Sequence, residues 1–453
     1  MATQQDQAIT VVGAGLAGSE AAWQAASRGA RVVLYEMKPV RRSPAHISDG
    51  FAELVCSNSL RGASLGNAVG LLKEEMRRLG SLVIRAADAT AVPAGRALAV
   101  DRDAFMAFIT DAIVSHPNIE VRNEVVETIP EDPVTLLATG PLTAPELAAE
   151  VQQLMGDEHL YFYDAIAPTI YADSIDHDVV FRASRWEQRE APEGDGDYLN
   201  VPLSRDEYYA FVDALLEAET VPLHAFEAAL YFEGCLPIEE MARRGRETLS
   251  YGPMKPVGLF DPRTGKRPYA VVQLRQEDKA GVLYNLVGFQ TKLRVGGQKD
   301  IFRSLPGLGE AVFARYGSVH RNTYVKAPKC LTPTLEAVSR PGLFIAGQMA
   351  GVEGYVESAA LGFIGGINAA RRLLDERIVL PPESTAHGAL LRHLREASPK
   401  GFQPMNVNYG LFEALEPREG DPKKLKKKVK NERFAERALD ALPDWAAAVG
   451  APA

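Results

Sequence analysis

The feature that most constrains this chain lies within residues 9–36. Ile9-Thr10-Val11-Val12 is a short apolar run of strand type, and it passes straight into Gly13-Ala14-Gly15-Leu16-Ala17-Gly18, a G-x-G-x-x-G turn. An alanine-rich apolar helix is predicted over about 17–26, and Arg28-Gly29 stops it. Arg31-Val32-Val33-Leu34-Tyr35 reads as a second strand, closed by Glu36. Strand, glycine turn, helix, strand and acid in this order make the βαβ unit of a doubly wound α/β sheet that binds a dinucleotide. Gly13 permits the tight turn, Gly15 lets a pyrophosphate approach the backbone, and Gly18 lets the helix close on the strand. Ala14, Leu16 and Ala17 complete the cradle, because a helix N-terminus offers free N–H groups to phosphates. Glu36 follows Gly13 by 23 residues (36 − 13), near the usual spacing of about 20, and can accept hydrogen bonds from ribose hydroxyls.

The far end of the chain bears on which dinucleotide is bound. Gly342-Leu343-Phe344-Ile345-Ala346-Gly347-Gln348 reads as a strand and turn, and a glycine-rich stretch from Gly351 leads into an apolar helix ending near Leu374. Flavoproteins of the glutathione-reductase type close their FAD domain in a similar way, and Leu136-Leu137-Ala138-Thr139-Gly140 resembles a strand end of the same group. No second G-x-G-x-x-G follows a strand, so the one nucleotide fold is assigned to FAD, with Gly347 and Gln348 on its far side. A nicotinamide reductant would then bind transiently elsewhere. The expected fold is α/β: a Rossmann-like FAD-binding domain of glutathione-reductase type with an inserted smaller α+β domain.

Composition narrows the organisation. A length of 453 residues suggests two or three units at about 150 residues each. Hydrophobic residues at 46% and charged residues at 24% exclude wholesale disorder. No apolar run reaches the roughly 18 residues of a membrane span. Met1 to Thr10 carries neither a basic nor an apolar signal region, so a cytoplasmic protein is expected. The three cysteines, Cys56, Cys235 and Cys330, are far apart and form no C-x-x-C, which points away from a disulfide framework or zinc ribbon. Residues 1–160 and 330–390 are read as two parts of one FAD domain. Residues 161–329, rich in Tyr, Phe and Arg, are read as the inserted domain, with an exposed tip at 190–197. Residues 391–453 are read as helical and basic. The net charge of −9 argues against a generally nucleic-acid-binding surface. Yet Lys423, Lys424, Lys426, Lys427, Lys428 and Lys430 fall within eight positions free of acids. Such a run is either a solvated helix face or a phosphate-contacting patch.

Cys56 lies in Glu53-Leu54-Val55-Cys56-Ser57-Asn58-Ser59-Leu60-Arg61-Gly62, and Arg61 would favour a thiolate if it lay close. Cys235 lies in Phe232-Glu233-Gly234-Cys235-Leu236-Pro237-Ile238-Glu239. Cys330 has no comparable context and reads as a small buried hydrophobe. These two cysteine segments, the glycine turn, Tyr284-Asn285-Leu286-Val287-Gly288-Phe289-Gln290-Thr291, and Gly347-Gln348-Met349-Ala350-Gly351-Val352-Glu353-Gly354-Tyr355-Val356-Glu357-Ser358 together resemble one family. It is the TrmFO family of folate- and FAD-dependent tRNA (uracil-C5)-methyltransferases, among the GidA-related flavoproteins.

The resemblance implies formation of 5-methyluridine in the T-loop of tRNA. Methylenetetrahydrofolate would give the carbon, reduced FAD the electrons, and NADPH or NADH would reduce the flavin. C5 of uracil is a poor nucleophile, and a thiolate adding at C6 creates an enolate able to attack a one-carbon electrophile. Carried over, Cys56 and Cys235 are the candidate thiols, one attacking C6 and the other transferring a proton or guarding the one-carbon unit. The resemblance does not say which does which. Tyr355 and Glu357 are candidates for flavin-side or acid–base roles. Where some members carry a pterin-stacking histidine this chain has Lys292, which cannot stack that way; Lys292 and Arg294 can instead pair with the glutamate tail of the folate. The lysine run is a candidate contact for tRNA. The alternatives are GidA/MnmG-like wobble-uridine modification, a small-molecule flavin oxidoreductase, and a flavin-bearing tRNA-folding factor. The first would need a longer helical C-terminus, and the second a redox C-x-x-C or a second nucleotide fold.

Overall fold

A computed structural model describes residues 7–156, 160–185, 196–222, 236–400, 402–419, 421–422 and 425–450. Cys235, Lys423, Lys424 and residues 190–195 of the expected tip lie outside the described residues.

Five parallel strands form the first sheet. Ile9–Val12 is central, between Val32–Glu36 and Thr135–Leu137, and Ile119–Asn123 and Leu343–Ile345 are the outer strands. Ile9–Val12, Thr135–Leu137 and Leu343–Ile345 are buried at every residue, which is why their sequences run apolar without alternation. The strand order reverses at Ile9–Val12, so the glycine turn leaves the sheet at the crevice where doubly wound folds take ligands.

Two helices pack on this sheet and on each other. Leu16–Ser27 follows the glycine turn, and Arg28 with Gly29 at φ +88° ends it. Tyr355–Leu373 is almost wholly buried. Gly362 and Gly366 of the long helix face Ala17 and Ala21 of the first, so close that a Cβ on either glycine would lie 2.1 or 2.3 Å from the facing carbonyl oxygen.

The second sheet has six antiparallel strands, in the order Phe181–Arg182, Tyr198–Leu203, Ala270–Gln276, Leu283–Leu286, Thr169–Tyr171 and Phe313–Arg315. It carries its own core, in which Phe211 of helix Arg205–Glu217 and Phe302 of helix Val295–Arg303 meet Phe289. A two-stranded ladder pairs Leu160–Ala165 with Val319–Tyr324, so the chain leaves the first unit and returns to it side by side. The last helix, Lys427–Ala448, lies back on the first unit. Arg28 Nε donates to Val449 O at 2.7 Å and Arg371 Nη1 to Ala448 O at 2.9 Å, two cations at the negative end of the helix.

Candidate active site

A cavity of about 390 Å³ opens at the carboxyl end of the parallel sheet. The glycine turn forms one wall. Gly13 has φ +95°, and a Cβ there would lie 2.8 Å from Ala138 O, so only glycine fits without strain. A Cβ on Gly15, by contrast, would meet nothing within 4 Å: this residue faces the open cavity. No side chain caps the helix that starts at Leu16, so its N-terminus is available to an anion. Glu36 is buried, and its carboxylate accepts from Ala14 N at 2.9 Å and Lys38 N at 3.0 Å. It fixes the glycine turn to the second strand while still lining the cavity.

The opposite wall comes from the end of the chain. Gly347, at φ +73°, and Gln348 line the cavity, and Gln348 Nε2 donates to Glu353 Oε2 at 2.8 Å. The helix Tyr355–Leu373 starts at Gly354 without a side-chain cap, so a second helix N-terminus meets the same space. An open glycine facing two uncapped helix starts, with a buried carboxylate hydrogen-bonded to the turn and lining the same cavity, fits an FAD pyrophosphate and ribose.

Cys56 and Tyr355 meet on this wall. The Tyr355 hydroxyl donates to Cys56 Sγ at 3.2 Å and accepts from the backbone N–H of Cys56 at 2.7 Å and of Ser57 at 3.2 Å. Burial lifts the Tyr355 pKa well above 10, and the neighbouring Cys56 adds to the rise. The phenol therefore stays protonated at neutral pH and remains a donor to the sulfur. Arg61 does not serve as the cation for this thiol: its guanidinium is paired with the buried carboxylate of Glu357. Arg102 and Arg275 interact electrostatically with Cys56. Arg102 pairs with Glu277 at 2.7 Å and donates to the carbonyl of Leu54.

Comparison with known proteins follows this geometry. The family model for glucose inhibited division protein A, GIDA, matches residues 8–377. A protein of Anoxybacillus flavithermus is 56% identical over 437 residues, covering 96% of this chain and 99% of its own. One of Geobacter sulfurreducens is 58% identical over 443 residues, covering 98% and 99%. Both are named methylenetetrahydrofolate--tRNA-(uracil-5-)-methyltransferase TrmFO. The chain belongs to the TrmFO family. Aquifex aeolicus GidA in its form II crystal shares the fold, with a TM-score of 0.69 at 18% identity over 100% of this chain and 75% of that one.

Within this TrmFO-family chain the described site residues expected from sequence fall into four places. Gly13, Gly15, Leu16, Ala17, Glu36, Cys56, Gly347, Gln348 and Tyr355 line the cavity. Ala14 and Gly18 lie behind them. A Cβ on Gly18 would fall 1.7 Å from Gly13 O, so Gly18 serves the helix–strand approach rather than the cavity itself. Lys292 and Arg294 are not among the lining residues: Lys292 Nζ pairs with Glu240 at 2.6 Å and Arg294 with Glu219 at 3.5 Å. Lys426, Lys427, Lys428 and Lys430 are exposed at the start of the last helix. Leu236 to Ile238 runs beside Gln290, with Ile238 N donating to Gln290 O at 2.7 Å, and Gln290 lines the cavity.

Sequence reasoning missed His46, Arg275, His320 and Asn406, all of which line the cavity. Burial and the charge of Lys38 lower the His46 pKa to about 4, and burial with Arg315 lowers that of His320. Both imidazoles are neutral at pH 7 and can accept or donate hydrogen bonds there. None of the four sits in a motif with fixed spacing to the glycine turn, so no local signal could have found them.

Proposed function

We propose that this protein transfers the one-carbon unit of methylenetetrahydrofolate to C5 of a uridine in the T-loop of tRNA, as a cytoplasmic enzyme that holds FAD and takes its electrons from NADPH or NADH. One observation carries the reading: a thiol held by a buried tyrosine stands on the wall of the same cavity as the dinucleotide turn. The 55–58% identical relatives bearing the TrmFO name supply the substrate class.

The chain's own groups support each requirement. Gly13, Gly15 and the N-termini of the two helices bind the pyrophosphate, and Glu36 orients the ribose. Reduced FAD, when bound, supplies the two electrons that take the transferred carbon from the methylene to the methyl level. A cysteine thiolate would add to C6 of uracil, C5 would bond to the one-carbon unit, loss of the C5 proton would expel tetrahydrofolate to leave an exocyclic methylene, and addition of hydride to that methylene would expel the thiolate and restore the ring. Cys56 and Cys235 share the thiol roles. Tyr355 holds the Cys56 backbone and donates to its sulfur. The lysines at the start of the last helix meet the tRNA backbone. That helix is tied to the segment after Cys56, since Asn431 Nδ2 donates to Gly66 O at 2.8 Å and Tyr409, stacked on Phe434 of the helix, donates its hydroxyl to Leu65 O.

The test is incubation of the flavin-loaded protein with unmodified tRNA, NADPH and methylenetetrahydrofolate labelled in its methylene carbon. Label in 5-methyluridine after digestion is expected. A reducible flavin with no label in that nucleoside would overturn the reading.

A further inference from the structure

His46 lines the cavity and belongs to the loop that leads to Cys56. That loop is held from two sides. Glu53, three residues before Cys56, accepts from Ile47 N at 3.0 Å and Ser48 N at 3.2 Å. From the second sheet Arg315 Nη2 donates to Ala45 O at 2.9 Å, and from the two-stranded ladder His320 hydrogen-bonds the Pro44 backbone. The ring of His46 is itself oriented. Its Nδ1 lies 2.5 Å from Ser43 Oγ, a buried hydroxyl that also accepts from Ala45 N at 3.3 Å. Among the described residues Nε2 of His46 makes no hydrogen bond.

Methyl transfer to C5 has a requirement that the thiols do not meet: the hydrogen at C5 must leave as a proton, so a base is needed. The carboxylates on the cavity wall are engaged. Glu36 accepts from Ala14 N and Lys38 N, Glu53 from Ile47 N and Ser48 N, and Glu353 from Gln348 Nε2. Glu124 stands on the ribose side, its N–H donating to Glu36 O at 3.0 Å. Tyr355 stays protonated. We propose that His46 is the base that removes the C5 proton, with Nδ1–H donated to Ser43 and the lone pair of Nε2 presented to the uracil adduct. The C5–H electron pair forms the double bond of the exocyclic methylene, the bond from the one-carbon unit to the tetrahydrofolate nitrogen breaks, and the proton passes to Nε2. Burial and the charge of Lys38 keep the imidazole neutral at pH 7 and ready to accept. Arg315 and His320 act in the same sense as Lys38, and Glu53 opposes them, so the imidazolium gives its proton up to solvent and the base is restored. This inference rests on the methyl-transfer reading.

The test uses tRNA tritiated at uridine C5, with the full-length flavin-loaded protein, NADPH and methylenetetrahydrofolate labelled in its methylene carbon. Wild type should release tritium to water as labelled 5-methyluridine forms. His46→Ala and His46→Gln should slow both by about 10²–10⁴-fold. They should also accumulate a denaturant-resistant protein–tRNA adduct that holds the labelled carbon and keeps its tritium, which a merely structural loss would not do. Added imidazole should restore tritium release in His46→Ala. Release in folded His46 variants within about 10-fold of wild type would overturn the proposal, and so would slow variants that neither build the adduct nor respond to imidazole. Adduct accumulating in His320→Asn instead would move the role to that residue and equally overturn it. Flavin content and melting temperature report folding. If neither His46 variant folds, Ser43→Ala decides: kcat should fall with KM for tRNA unchanged, and an unchanged kcat would sink the idea. Wild type that gives no labelled 5-methyluridine would overturn the methyl-transfer reading and this inference together. Labelled product from wild type and His46 variants alike would overturn this inference alone.

Discussion

Replacing Gly362 with alanine would set a methyl carbon 2.1 Å from the carbonyl oxygen of Ala17 and 2.6 Å from its Cα. Carbon and oxygen in ordinary contact stand about 3.4 Å apart or more, so the shortfall exceeds 1 Å. The obstacle is backbone at the start of a helix, and it cannot swing aside as a flexible side chain would. The two helices must separate, and the packing of Gly366 against Ala21 loosens with them. Overpacking of this kind costs about 1–3 kcal/mol; with rigid backbone on both sides the upper half applies. The gain in helix propensity from glycine to alanine offsets at most about 1 kcal/mol. The net loss is about 1–2 kcal/mol, a fall in Tm of roughly 2–8 °C for a domain of this size. Because Ala17 lines the cavity, FAD affinity should fall as well. The control is Gly297→Ala in helix Val295–Arg303, where an added Cβ meets nothing within 4 Å; it should be neutral or stabilising by up to about 1 kcal/mol. Differential scanning calorimetry and titration of the apoprotein with FAD read both quantities. A Gly362→Ala protein that melts with the wild type and binds FAD as tightly would refute the packing argument.

Other perturbations separate the remaining parts of the site. The folded pKa of His46 is depressed to about 4, below its unfolded value of about 6.5. Its contribution to stability is therefore present above pH 6.5 and lost as the pH falls through 4. His46→Asn should flatten the acid limb of the stability profile by up to about 3 kcal/mol, read by urea unfolding at stepped pH, and parallel limbs would rule this out. Changing Lys426, Lys427, Lys428 and Lys430 to glutamate should weaken tRNA binding by 10-fold or more and reduce its salt dependence, with FAD content unchanged; equal affinity in a filter-binding assay would remove the helix from the RNA contact. Cys330 is buried, with its thiol 3.8 Å from the Met155 carbonyl, and does not line the cavity, so Cys330→Ala should keep kcat within about two-fold of wild type.

Local pattern carried much of the fold. The glycine turn, its flanking strands and Glu36 were legible because tight turn, close approach and terminal acid impose residue types at short, fixed spacings. The strand Leu343–Ile345 and the helix after it were legible for a similar reason, from apolar content and glycine punctuation. The site was less legible where it depends on distant segments. Arg275 reaches Ser57 and Asn58 from a strand more than two hundred positions away, and no periodicity announces that crossing. Arg61, beside Cys56 in sequence, turns at φ +63° and pairs with Glu357 instead. Sequence neighbourhood offered it as the thiol's cation, while the backbone conformation sends it elsewhere. Lys292 and Arg294 were read as able to pair with the glutamate tail of the folate, but they pair with Glu240 and Glu219, which lie on other segments that tertiary folding brings alongside.

The contact between Gly362 and Ala17 joins residues 345 positions apart (362 − 17). During synthesis at about 5–20 residues per second, the helix that cradles the dinucleotide waits roughly 20–70 s for the helix that packs against it. Through that interval its alanine face has no partner from its own unit, and the second sheet is made in between, with a core of its own. Closure of so long a loop makes the assembly order of the chain vectorial and its final step slow. The nascent protein can complete its second sheet before it can retain a flavin, so the cofactor is captured late, when the long helix docks.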